Sequence, residues 1–105
     1  MDHPTGAYSI FFTSLANPNR LQIINVLRQG RKNVTQLCKA TGFEQTMISH
    51  NLKRLERCGM VMAEQKGKFR YYSLNKETIK PLMSLIDSHM KEYCCKILEE
   101  EKRGA

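Results

Sequence analysis

The chain reads as a mainly α fold with a small β-hairpin, a winged helix-turn-helix that pairs as a homodimer through its first and last helices. Three observations predict it. Between Thr46 and Gly59, Ile48, Leu52 and Leu55 recur at helical spacing and bury one stripe. Thr46, Ser49, His50, Lys53 and Arg57 then fall on the other faces, where short hydrogen-bonding groups and cations meet a nucleic acid. Directly after come two strand-like runs, Met60 to Gln65 and Phe69 to Leu74, joined across Lys66-Gly67-Lys68. A helix that reads a groove beside a hairpin carrying Lys66, Lys68 and Arg70 is a helix-turn-helix followed by a wing. Finally, Ile79, Leu82, Met83, Ile86, Met90, Tyr93 and Ile97 step by threes and fours along the last helix. So long a stripe has too little domain left to cover it, and pairing with the same helix of a second subunit is the natural solution.

The elements follow in order. Residues 1 to 5 are expected to fray, with Pro4 opposing early helix. Tyr8, Phe11, Phe12 and Leu15 then mark an amphipathic first helix, about 6–16. Asn17 caps and Pro18 opens a second helix, in which Leu21, Ile24, Val26 and Leu27 run to a stop at Gly30. Arg31-Lys32-Asn33 is a loop, and Thr35 to Thr41 is a short third helix ended by Gly42. The turn Gly42-Phe43-Glu44 leads to the fourth helix, Gln45 to Arg57, with Glu44 a poor N-cap. The helix-turn-helix thus covers about 34–58 and the wing about 60–74, where Tyr72 and Leu74 are expected to face inward. One uninterrupted helix, about 77–100, ends the chain, and all of 1–105 forms a single domain.

Charge agrees with the motif. The net charge is +7, but Arg20 to Lys80 alone carries thirteen Lys/Arg against four Asp/Glu, while the two ends are slightly acidic. A basic excess in the middle of the chain, around the reading helix and wing, is the pattern of a phosphate-facing surface. No apolar run approaches the roughly 18 residues of a membrane span, and no signal-peptide core is present, so a cytoplasmic location with no membrane partner is expected. The four cysteines (Cys38, Cys58, Cys94 and Cys95) form no CxxC pair or zinc-finger spacing and are read as thiols. No Ser/His/Asp, Cys/His or paired-carboxylate arrangement suggests an enzyme.

With these pieces in order, the chain resembles the ArsR/SmtB-type winged-helix repressors over roughly residues 8 to 98. The stretches that carry the resemblance are Leu15-Ala16-Asn17-Pro18-Asn19-Arg20-Leu21, Gln45 to Leu52, and Gly59-Met60-Val61 leading to Tyr71-Tyr72-Ser73-Leu74. The resemblance implies a homodimer, with Tyr8, Phe11, Phe12, Leu82, Ile86, Met90, Tyr93 and Ile97 at its interface. It also implies operator binding by the fourth helix and release of DNA when an inducer binds. Gln45, Thr46, Ser49 and His50 match residues that face the major groove, and Lys66, Lys68 and Arg70 match the wing. Lys53 and Arg54 are expected to hold phosphates. Asn51 stands where the family usually has His, which leaves the base preference open.

The family's Cys-x-Cys metal site is missing, since Asn33 and Thr35 occupy its positions, and Cys38 and Cys58 read as core cysteines. Asp87-Ser88-His89 matches half of a second family site, but Glu100 and Arg103 stand at the partner positions, so Zn(II) fits poorly. Cys94-Cys95 is the better sensor. Neighbours on a helix point about 100° apart, so their sulfurs cannot share a metalloid without local unwinding. Some arsenic-responsive relatives carry adjacent cysteines near the end of this helix, so the resemblance implies As(III), or else an oxidant or reactive sulfur, as the inducer, acting by distorting the dimer helix. A second route is inter-subunit bonding of Cys94 across a two-fold seam. The plainer reading is that one cysteine packs in the seam and the other is incidental. No resident cofactor is required. The expected function is a sequence-specific transcriptional repressor of an imperfect palindromic duplex. The alternatives are a winged-helix protein-interaction module, or a constitutive DNA binder that senses nothing.

Overall fold

In the computed structural model, which describes residues 5–104, the order is α1 (Thr5–Leu15), α2 (Pro18–Leu27), α3 (Val34–Thr41), α4 (Gln45–Arg57), β1 (Val61–Lys66), β2 (Phe69–Leu74), α5 (Ile79–Glu92) and α6 (Cys94–Gly104). Thr5 already opens α1; the fraying expected before it lies outside the described residues. The chain packs as two compact units, one ending at Asn75 and the other beginning at Lys76.

In the first unit, local chemistry places the helix ends. Asn17 Oδ1 accepts the backbone N–H groups of Asn19 and Arg20, both at 3.0 Å, and Pro18 follows at the first helical position. Asn33 and Gln36 form a reciprocal capping box at the start of α3, each bond 2.9 Å, and Gly42 ends that helix at φ +78°. Glu44 makes no side-chain cap, as its length predicts. At the far end of α4, the Met60 N–H reaches the Leu55 carbonyl at 2.9 Å and the Gly59 N–H reaches Glu56 at 3.0 Å, with Gly59 at φ +74°. This is a Schellman stop, and the Leu55 and Met60 side chains that flank it are fully buried.

The core is aliphatic: Ile23, Ile24 and Leu27 of α2 meet Leu37 of α3, Ile48, Leu52 and Leu55 of α4, and Val61 of β1. Each such side chain contributes about 1.5–3 kcal/mol of transfer free energy. Ile23 is a core residue that the stripe of Leu21, Ile24, Val26 and Leu27 left out, whereas Leu21 and Val26 are only half-buried. The difference arises because α3 and α4 and the hairpin all pack on α2, so its buried arc is wider than one stripe.

β1 and β2 pair antiparallel from Val61↔Leu74 to Lys66↔Phe69. Gly67, at φ +61°, is followed by Lys68 at negative φ, the pattern of a type II′ turn. Leu74 points inward as expected, while Tyr72 is half-buried. The loop after α2 adds a rung: Lys32 and Tyr72 exchange backbone hydrogen bonds of 3.0 and 2.8 Å. Asn75 then pins the hairpin to the end of α4, donating to Met60 and Gly59 carbonyls at 3.0 Å.

In the second unit the expected single helix is two. Tyr93, at φ −123° and ψ −67°, separates α5 from α6. Hydrogen bonds from Tyr93 N to His89 O and from Ile97 N to Tyr93 O, each 3.1 Å, flank the break. No Pro or Gly marks it; Tyr93, Cys94 and Cys95 are all weak helix formers, and their sum is invisible to a pattern of apolar spacing. No helix among the described residues is long and apolar enough to cross a membrane.

Candidate nucleic-acid interface

The stripe that anchors α4 determines what it shows. With Ile48, Leu52 and Leu55 fully buried, Gln45, Thr46, Ser49, His50 and Lys53 are all exposed on the opposite side. The thirteen residues of α4 span roughly 20 Å at 1.5 Å per residue, enough to lie along a major groove. The chemistry of the exposed side is mixed and short: an amide, two hydroxyls, an imidazole and one ammonium.

The hairpin stands beside this face. Ser49, His50, Lys53 and Glu56 of α4 and Arg70 and Tyr72 of β2 line one open cleft of about 440 Å³. Arg70 bonds Glu56 at 3.2 Å, and its guanidinium lies 5.8 Å from the centre of the Tyr72 ring. Arg70 is therefore a cation of the cleft between reading helix and hairpin, on the second strand of the wing. The tip belongs to Lys66 and Lys68, both exposed on the turn, which Gln65 Nε2 braces through the Gly67 carbonyl at 3.0 Å. On the other face of the hairpin, Arg31 stacks 5.0 Å from the Tyr71 ring and bonds Glu64 at 3.6 Å, so a residue of the loop after α2 adds a further cation to the wing.

Three residues of α4 differ from expectation. Arg54 turns away from the polar face: its Nε donates to Ser14 Oγ of α1 at 2.9 Å. One residue past Lys53 is a rotation of about 100°, which carries Arg54 from the phosphate side to the α1 side. Arg57 lies there too, lining a second cavity with Arg54 and Cys58. Asn51 is buried, accepts from Arg20 at 3.2 Å and donates to the Met47 carbonyl at 2.9 Å, so this position braces the fold.

The cysteines divide in two. Cys38 and Cys58 are half-buried, and Cys58 Sγ lies 3.1 Å from Ser14 Oγ. Cys94 and Cys95 are exposed as the first residues of α6, next to the break at Tyr93. Among the described residues no group of three or more His, Cys, Asp or Glu side chains is placed to hold a metal ion. His89 stacks on Tyr93, ring centres 4.8 Å apart, and does not join a ligand set. Of the expected pairing residues, Tyr8, Phe12, Met90, Tyr93 and Ile97 are exposed, whereas Phe11, Leu82 and Ile86 are half-buried. Ile10, Leu85 and Leu98 extend the exposed apolar set.

Comparison with known proteins follows the same lines. Residues 17–63 match the family model described as bacterial regulatory protein, arsR family. The HTH-type transcriptional regulator Rv0324 of Mycobacterium tuberculosis H37Rv is 36% identical over 75% of this chain, which spans only 37% of that protein. The arsenical resistance operon repressor of Bacillus subtilis 168 is 34% identical over 84% of this chain and 79% of its own length. Among solved structures, the homodimeric winged helix-turn-helix DNA-binding domain of Mb0332 from Mycobacterium bovis superimposes with a TM-score of 0.79, at 32% identity, over 85% of this chain and 82% of that one. The relatives and the fold are those of DNA-binding transcriptional regulators, not of enzymes.

Proposed function

Taking as premise that the chain belongs to the arsR family of bacterial regulatory proteins, we propose that it is a homodimeric repressor that grips duplex DNA with α4 and the hairpin. The observation that carries this reading is the exposed row Gln45, Thr46, Ser49, His50 and Lys53, held rigid by a fully buried stripe on the same helix. Gln45 has the paired donor and acceptor that match adenine, and Thr46 and Ser49 are small enough for close approach to base edges. Lys53, Lys66, Lys68 and Arg70 supply charge for phosphates and set register. Two copies related by a two-fold axis would present two such helices to the halves of an imperfect palindrome. Exposed aromatic and aliphatic side chains on α1, α5 and α6 supply the surface for that pairing, and the Mb0332 domain is a homodimer.

The inducer we assign to Cys94 and Cys95. As(III) hydroxide would condense with the two thiols, forming two S–As bonds and releasing two waters; a two-electron oxidant would join them as a disulfide. On a helix the sulfurs diverge, and both cysteines lie inside α6, so joining them requires its first turn, next to the break at Tyr93, to unwind. With two donors and no third among the described residues, Zn(II) is not the signal of this reading. The test is a DNA-binding titration with As(III), Zn(II) and a mild oxidant, on wild type and on Cys94→Ser/Cys95→Ser. Release of wild type alone, by As(III) or oxidant, is the expected result. Release that persists in the double variant removes these thiols as sensor, and equal affinity for operator and random duplex removes the repressor.

A further inference from the structure

The first helix gives its own domain little apolar surface. Of α1 only Ser14 and Leu15 are buried, while Tyr8, Ile10 and Phe12 stand exposed. Beside Leu15, what ties α1 to the other helices is polar, and it gathers on one serine. Arg20 of α2 donates from Nε to the Ser14 carbonyl at 2.6 Å and from Nη2 to the Thr13 carbonyl at 3.2 Å. Arg54 of α4 donates from Nε to the Ser14 hydroxyl at 2.9 Å, and Cys58 Sγ lies 3.1 Å from the same oxygen. Arg20 closes the ring, donating from Nη1 to Asn51 Oδ1 of α4 at 3.2 Å.

Such an anchor does what Leu15 alone does not. Burial of apolar surface is non-directional, so a single buried side chain leaves the angle of a helix free. A guanidinium donates from a rigid plane along fixed lines, and two of them from different helices hold an angle. Ser14 is fully buried, so water does not compete for its bonds. Both cations sit at the C-terminal end of α1, where the helix dipole favours them. Arg54 also shares one thirteen-residue helix with Gln45, Thr46 and Ser49. Whatever fixes Arg54 against α1 therefore fixes the reading row against α1.

We propose that Arg54 is a positioning residue for operator binding: acting through Ser14, together with Arg20, it fixes the angle between α1 and α4 and so the half-site spacing that the dimer accepts. As in the repressor reading above, α1 belongs to the two-fold seam, and this role of Arg54 rests on that placement. Each added base pair turns one half-site by about 34° and shifts it by about 3.4 Å along the duplex. A rigid pair of reading helices accepts one spacing, and a loose pair accepts several.

The experiment is selection of bound duplexes from a random library by the full chain, then anisotropy titration of the selected duplex with one base pair inserted or removed between its half-sites. Wild type should enrich paired half-sites at one spacing and lose about tenfold or more in affinity on either change. Arg54→Met keeps the apolar stem without the donor; it should enrich the same half-site sequence yet lose less than about threefold. Arg54→Lys keeps one donor and should recover the wild-type discrimination. Ser14→Ala deletes the same bond from the α1 side and should behave as Arg54→Met does. Lys53→Met, on the exposed side of α4, should weaken every duplex and keep the spacing. Wild-type spacing discrimination retained by Arg54→Met or by Ser14→Ala overturns the role of Arg54. So does a wild type indifferent to spacing, or loss of the half-site sequence itself in a variant that remains a folded dimer. Wild type that enriches no paired half-sites removes the dimeric repressor, and this role with it, so the two failures are told apart.

Discussion

Arg20 Nη1 lies 3.2 Å from Asn51 Oδ1, and this bond joins the start of α2 to the middle of the reading helix. The same guanidinium donates from Nε to the Ser14 carbonyl at 2.6 Å and from Nη2 to the Thr13 carbonyl at 3.2 Å, satisfying the last turn of α1. One cation therefore ties three helices. Asn51→Ala removes its acceptor inside the fold and should lower stability by about 1–3 kcal/mol. His50→Ala, one residue away on the exposed side, should change stability by no more than about 0.5 kcal/mol. Urea midpoints at fixed protein concentration compare the two, and equal losses would mean that Asn51 does not bear this load.

The orientation of Arg54 makes a second pair of substitutions informative. Lys66→Ala and Lys68→Ala should each weaken binding to all duplexes and flatten the log–log salt slope by about 0.9 for every phosphate left without its cation. Arg54→Ala should leave that slope unaltered and instead lower the urea midpoint, since it strips the fully buried Ser14 of its donor. Gln45→Ala should cost about 1–3 kcal/mol of discrimination between operator and random sequence. Filter-binding or anisotropy titrations over a range of salt separate the three behaviours.

Why the sequence places the Lys66-Gly67-Lys68 turn but not the partner of Arg54 is a matter of range. Caps, glycine stops and apolar spacing act within a few residues, so Asn17-Pro18, Gly42, the limits of α4 and the Lys66-Gly67-Lys68 turn are readable directly. Arg54 sits one position past the polar face, and only its partner Ser14, forty residues earlier, decides which way it turns. The Lys32 rung on Tyr72 and the Arg20–Asn51 bond likewise join distant segments that no local pattern announces. Asn51 falls within the base-reading motif because the motif is a run of residues, whereas burial is a property of the helix face.

Glu56 is an acidic side chain in the otherwise basic and neutral lining of the cleft between α4 and β2, and it holds Arg70. Both partners are near half-exposed, so the pair contributes no more than about 1 kcal/mol to stability. Its charge should matter more to DNA. Glu56→Gln removes a negative charge from the phosphate-facing side and releases Arg70, so affinity for any duplex should rise several-fold with little change in the urea midpoint. Unchanged or weaker binding would show that Arg70 works only when Glu56 positions it.

Gly59 and Gly67 offer a measure of backbone cost free of packing, because a Cβ built at either meets no atom within 4 Å. Both lie at positive φ, +74° and +61°, where an alanine is strained by about 1–2 kcal/mol. Each Gly→Ala change should lower the urea midpoint with the slope of the transition preserved. Gly59→Ala should be the costlier, since it opposes the Schellman stop that seats Met60 in the core.

The two pairs of thiols should also separate by reactivity. Cys94 and Cys95 are exposed, whereas Cys38 and Cys58 are half-buried and Cys58 is bonded to Ser14. Under native conditions iodoacetamide should modify Cys94 and Cys95 first, and Cys38 and Cys58 should follow at least tenfold more slowly, through local opening. Mass spectrometry of timed, quenched samples resolves the four sites. Ser14→Ala removes the oxygen beside the Cys58 sulfur and the acceptor of Arg54, so it should speed modification of Cys58 and leave Cys94 and Cys95 unchanged. If Cys58 reacted as fast as Cys94 in the wild type, the packing of α1 on the end of α4 would not hold in solution, and the network around Ser14 would have to be redrawn.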